Sequence, residues 1–108
     1  MQLNNKKIFS LLGLAAKSGN IVSGEFAAEK AVKCQKAKLC IVAKDSSDNT
    51  KKLFHDKCKY YEVPIYEFGK KEELGHAIGK EFRASIAVMD EGFAKNLISQ
   101  IDAVIKTE

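Results

Sequence analysis

Apolar residues along this chain change period repeatedly, from spacings of three and four to short unbroken runs and back. Over residues 5–17, Ile8, Leu11, Leu12 and Ala15 share one helical face, with Asn4 or Asn5 expected as the cap and Gly19 as the stop. "NIVS", 20–23, then reads as a short strand. Gly24 follows, and Ala27, Ala28, Ala31 and Val32 continue as a second helix with Ser23 as the expected cap. The run "KLCIVAKD", 38–45, is almost continuously apolar between charges, the pattern of a strand buried on both faces.

The second half repeats the alternation. "SSDNT" supplies capping chemistry for a helix to about Tyr61, with Leu53, Phe54, Cys58 and Tyr61 inward. "VPIYEF", 63–68, is a shorter strand whose early Pro64 suits an edge. A short helix runs through Leu74 and Ala77 to Gly79, and "SIAVMD", 85–90, is another buried strand. The last helix sets Phe93, Leu97, Ile98, Ile101 and Ile105 on one stripe. Helices alternating with strands predict a single α/β domain over residues 1–108, a three-layer α/β/α sandwich around a mixed sheet of about four strands. Loops leading from strands into helices form the natural binding edge of such a sheet. Here they are "SGEF" at 23–26, "AKDSS" at 43–47 and "GKEFRAS" at 79–85, expected to gather at one rim.

Composition narrows the class. Hydrophobic residues make up 45% and charged residues 30%, as in a folded soluble domain. No apolar stretch approaches the roughly 18–20 residues that span a bilayer. Lys6 and Lys7 precede an apolar run, but Ser10, Gly13 and Lys17 interrupt it with helical spacing, so it reads as part of the fold rather than as a signal peptide. We expect a cytoplasmic monomer without membrane association. Cys34, Cys40 and Cys58 cannot all pair within one chain, and free, mostly buried thiols are expected. His55 and Cys58 lie three apart on a helix, yet Cys58 belongs to the apolar face, so no metal is expected. The net charge is +4, with residues 1–44 carrying eight lysines against Glu25 and Glu29. That imbalance fits either a polyanion partner or a lysine-rich solvated surface.

Catalytic motifs are missing. "GLAAKSGN" has the wrong glycine spacing for a P-loop, with Asn20 where the lysine belongs, and no G-x-G-x-x-G or G-x-S-x-G occurs. His55 and His76 have no acid or nucleophile at a telling spacing, so neither an enzyme nor a cofactor is expected. What remains suits RNA. The start of the second helix at Gly24 to Ala27 offers free backbone N–H groups to an anion. Lys30 lies one turn further, Lys44 ends a strand, and Lys80 opens a loop in which Phe82 stands beside the only arginine, Arg83. Aromatic and guanidinium planes stack on splayed bases while lysines hold phosphates. Phe82 either fills the core or presents a flat apolar face outward.

The runs "SGNIVSGEFAAEKAVKCQKAKLCIVAKD", "VPIYEF" and "ELGHAIGKEFRASIAVMD" resemble the ribosomal-protein family that binds kink-turn RNA, the archaeal L-seven-Ae and eukaryotic L-thirty-e types, and within it the small bacterial YlxQ-like branch. The likeness extends from about Ile8 to Ile101. It implies an α/β/α sandwich without cofactor or catalysis, with structured RNA, ribosomal or kink-turn-like, and the ribosome as partners. It assigns RNA contacts to Gly24, Glu25, Phe26, Lys30, Lys44, Lys80, Phe82 and Arg83, with Phe82 as a stacking platform and Arg83 beside the RNA backbone. The chain also departs from the family's pattern. RNA-reading members carry an amide or lysine followed by Glu or Gln after the turn, whereas Phe26 and Ala27 stand here. Alanine has no group with which to read a base edge, and Glu25 sets a negative charge beside the expected phosphate. Weak recognition of a standard kink-turn is the expectation. The competing reading is a protein-interaction module on the same scaffold, with Phe26 and Phe82 as an apolar contact patch.

Overall fold

Two central strands organise the chain. In the computed structural model, which describes residues 2–107 and the side chains of residues 5–106, β2 (Leu39–Val42) and β4 (Ser85–Val88) are buried at every position. Consecutive side chains on a strand point to opposite faces. Leu39, Ile41, Ile86 and Val88 therefore face Ile8, Leu12, Leu74, Leu97 and Ile101. Cys40, Val42 and Ala87 face Ala28, Val32, Phe54 and Cys58 on the other side. The first layer consists of α1 (Gln2–Lys17), α4 (Lys71–Ala77) and α5 (Glu91–Thr107), and the second of α2 (Glu25–Lys33) and α3 (Asp48–Tyr61). Each fully buried aliphatic or aromatic side chain contributes roughly 1.5–3 kcal/mol, so the doubly covered strands anchor the domain.

The outer strands are β1 (Ile21–Ser23) and β3 (Ile65–Glu67), and the sheet order is β1-β4-β2-β3. Strand β4 runs antiparallel to β1 and β2, while β2 and β3 are parallel. The sheet is therefore mixed, as expected. The same topology brings the C-terminal ends of β1, β2 and β3 and the N-terminal end of β4 to one edge. Pro64 precedes the edge strand β3, where no neighbour needs its missing N–H, and its carbonyl accepts from Cys40 N–H at 2.9 Å. No helix among the described residues is long and apolar enough to cross a membrane.

Several details differ from the sequence expectations. Helix α1 already runs from Gln2, so Asn5 lies within it rather than capping it, and Asn4 also falls inside. Ser23 is the last residue of β1, and the cap of α2 is Gly24, with no side-chain hydrogen bond. The run 38–45 yields a strand of four residues, because the chain turns after Ala43, and Lys44 sits in that turn rather than at the strand end. On α5 the fully buried stripe is Ala94, Leu97, Ile101 and Val104, while Ile105 is 45% exposed. Phe93 and Ile98 pack partly buried against the same cluster, and the small Ala94 marks the closer approach. The three cysteines are free, with Cys40 and Cys58 buried and Cys34 exposed, in line with the expectation of mostly buried thiols.

Helix α3 begins at the rim with a well-formed cap, Ser47 Oγ accepting from Thr50 N–H at 3.1 Å. Replacing Ser47 with Ala should lower stability by about 1 kcal/mol, the usual cost of a lost N-cap, whereas Ser47→Asp should retain most of it. Urea unfolding of the two variants checks this, and a Ser47→Ala variant as stable as the parent would show that the cap contributes nothing.

Candidate nucleic-acid interface

The three loops singled out from the sequence meet at the shared edge of the sheet, joined by main-chain hydrogen bonds. Gly24 N–H donates to Ser85 O at 3.0 Å, and Ala43 N–H donates to Ala84 O at 2.9 Å. Lys44 N–H reaches Gly69 O at 2.7 Å, which brings in the segment after β3. Lys71 N–H donates to Asp45 Oδ1 at 2.8 Å, and Arg83 N–H donates to Lys71 O at 3.0 Å, so the loop before β4 is held to the start of α4. Four chain segments thus form one continuous rim.

At the α2 side of this rim, Gly24 adopts φ 93° and ψ 155°. Only glycine occupies that region without strain. The turn places the first N–H groups of α2 at the surface without a side chain capping them. Glu25 is exposed and accepts from Thr50 Oγ1 at 3.3 Å, which directs its carboxylate toward α3. Phe26 is 81% exposed. Lys30, one turn on, is exposed as well.

The opposite side of the rim is the segment 79–84. Its course depends on Gly75, which sits inside α4 and is buried. A Cβ there would lie 2.6 Å from Glu81 O and 2.8 Å from Phe82 N, closer than real contacts allow. The loop backbone therefore rests directly on the helix, and Lys80 N–H donates to Gly75 O at 2.8 Å. With its main chain held inward, the loop turns Phe82 outward, 59% exposed, and leaves Lys80 in solvent. Of the two roles open to Phe82, the core plug is excluded.

Arg83 does not extend outward as expected. It is half-buried, with Nε donating to Ser23 Oγ at 3.0 Å and Nη1 donating to Phe82 O at 2.7 Å. The guanidinium braces the loop against the end of β1, because its fork can satisfy two acceptors at once. Sequence reading missed Gly75 as the seat of the loop, although a glycine inside a helix is itself a signal of close backbone approach. It also missed Asp45 and Ser23, whose polar atoms give no periodic signature.

The thiols lie elsewhere. Cys40 and Cys58 belong to one core cluster, and the neighbouring Cys58 thiol, with burial, raises the Cys40 thiol above its ordinary value. His55 Nε2 lies 2.8 Å from Glu67 Oε2. Among the described residues no group of three or more His, Cys, Asp or Glu side chains is placed to hold a metal ion.

The chain is similar to several known proteins. The sequence model described as the Ribosomal protein L7Ae/L30e/S12e/Gadd45 family matches residues 6–98. The chain is 46% identical over 94 residues to the "RNA-binding protein YlxQ" of Bacillus subtilis (strain 168), covering 87% of this chain and 94% of that protein. It is 30% identical over 86 residues to the "Large ribosomal subunit protein eL30" of Methanosphaera stadtmanae, covering 79% and 88% respectively. A solved structure of a protein with unknown function from Bacillus halodurans C superposes with a TM-score of 0.87 at 42% identity, over 89% of this chain and 97% of that one.

The glycine seat makes a testable demand. Helix propensity alone favours alanine over glycine by roughly 1 kcal/mol, yet Gly75→Ala should lower stability by roughly 1–3 kcal/mol through overpacking. Phe82→Ala should change stability by under about 0.5 kcal/mol, as exposed positions do, whereas Phe54→Ala in the core should cost ~3–5 kcal/mol. Thermal melts of the three variants without ligand check the ranking. A stabilised Gly75→Ala would show that the loop does not rest on α4.

Proposed function

The chain belongs to the Ribosomal protein L7Ae/L30e/S12e/Gadd45 family, and on that premise we propose that it is a non-catalytic, cytoplasmic protein that binds ribosomal or other structured RNA through the rim around Gly24 and Phe82. One observation carries the reading: the uncapped start of α2 and the outward ring of Phe82 belong to loops fixed against each other by the Gly24–Ser85 and Arg83–Ser23 hydrogen bonds. Backbone N–H groups at a helix start attract phosphate, and an aromatic face takes a base at ~1–3 kcal/mol per stack. Lys30 and Lys80 add exposed positive charge to the two loops, and Lys44 is exposed in the turn after β2. Arg83 acts as the brace that fixes this geometry. The names of the relatives, an RNA-binding protein and a large-subunit ribosomal protein, support RNA as the partner class.

Standard kink-turns are not the preferred ligand in this reading. Phe26 and Ala27 offer no hydrogen-bonding side chain where the family's RNA-reading members do, and Phe26 is turned into solvent. Phosphate contacts position RNA, while base contacts specify it. The chain therefore retains the positioning half of the interface and has altered the specifying half.

Two outcomes follow. The double variant Lys30→Glu, Lys80→Glu should bind purified large-subunit ribosomal RNA more weakly and with a shallower salt dependence, losing about 0.7–0.9 in log–log slope for each phosphate contact removed. It should melt like the parent, since both side chains are exposed. Binding that ignores both salt and these lysines would instead favour an apolar protein-contact surface. The second variant, Phe26→Asn with Ala27→Glu, should bind a standard kink-turn hairpin more tightly than the parent in a gel-shift titration. A parent that already binds that hairpin tightly would show that these positions do not set specificity.

A further inference from the structure

We infer that the groove beside α2 receives one unstacked base of the RNA held at the rim, an assignment that rests on the RNA-binding reading above and adds a second contact to it. The groove encloses about 320 Å³, within the size range of small-ligand pockets of ~300–1,000 Å³. Phe26, Lys30 and Cys34 line it at intervals of four, so they form one stripe along the helix. Val22 of β1 and Met89, just beyond β4, supply an apolar floor, and Lys36 lies at the far end. From Phe26 to Cys34 the helix covers about 12 Å at 1.5 Å per residue. The groove therefore leads away from the rim rather than lying within it.

The lining matches a nucleotide in kind. Each nucleotide carries one flat base and one negative charge, and the groove offers the exposed Phe26 ring and an apolar floor together with two lysines, Lys30 and Lys36. Carboxylates on the same helix are directed elsewhere: Glu25 accepts from Thr50 Oγ1, and Glu29 faces Lys33 at 3.9 Å. The charged side chains that line the groove are both lysines, Lys30 and Lys36, which favours a polyanionic strand. Phe26, 81% exposed in the free protein, leaves apolar area in water that a stacked base removes. The residue that cannot read a kink-turn thus gains a role as a stacking surface for an unpaired base.

Cys34 reports on the groove directly, because it is the one exposed thiol while Cys40 and Cys58 are buried. The test measures iodoacetamide alkylation of Cys34 in the full chain, free and saturated with purified large-subunit ribosomal RNA, with binding followed in parallel. A groove filled nine-tenths of the time should slow alkylation by about tenfold. Phe26→Ala, at saturating RNA, should return the rate toward that of the free protein. RNA binding with Cys34 fully reactive would overturn the groove assignment and leave the rim reading intact. Absence of salt-dependent RNA binding would overturn both. Protection by an RNase-treated ribosomal-protein fraction, but not by RNA, would assign the groove to a protein and overturn the base.

Discussion

The rim depends on one close contact, the backbone of Glu81 and Phe82 lying on the bare Cα of Gly75. With no side chain at that point, helix α4 can serve as a floor for the loop, and a Cβ would stand 2.6 Å from Glu81 O. Once the main chain is fixed there, Lys80 N–H finds Gly75 O, Arg83 N–H finds Lys71 O, and the Arg83 side chain reaches Ser23. Phe82 is left facing water because its backbone is committed inward. An exposed aromatic side chain on a rigid loop loses little freedom when it binds, which is the condition under which stacking contributes its full strength.

The surrounding fold makes this contact possible. Strands β2 and β4 are covered on both faces, so their residues pack into two separate clusters, and the sheet cannot slide by one residue without exchanging them. That register sets Val42 opposite Ser85 and Ser23 opposite Ile86. The same pairing brings the loop after β1 and the loop before β4 within hydrogen-bonding distance. Core and rim are therefore not independent: the apolar alternation of two strands determines which polar loops meet.

Much of this was legible in the sequence because periodicity reports burial. The elements, their order and the loops that lead from strands into helices follow from the spacing of apolar residues and the placement of glycines, whereas strand direction leaves no mark on that spacing. The stripe on α5 was legible only in part, because Ala94 contributes little hydrophobic signal although it lies against the core. Polar positions were harder to read. A lone arginine in a loop has the same sequence signature whether or not it braces its own chain, and the brace became visible only in the approach of Arg83 Nε to Ser23 Oγ at 3.0 Å. Ser23 likewise looked like a helix cap because it precedes a helix, yet the strand continues through it and Gly24 makes the turn. The groove beside α2 was not legible, since its floor joins Val22 and Met89, far apart in the chain.

The central claim, that RNA lies across the rim between α2 and the loop before β4, is tested most directly by photocrosslinking the unmodified chain to large-subunit ribosomal RNA carrying 4-thiouridine, followed by peptide mapping. Crosslinks should concentrate in two stretches, residues 24–30 and residues 80–83, and should fade together as salt is raised. The exposed Tyr60, near the far end of α3, provides an internal control, since it offers an equally reactive ring away from the rim. Crosslinks centred on Tyr60, with none at Phe26 or Phe82, would place the RNA on another face of the molecule and contradict the assignment.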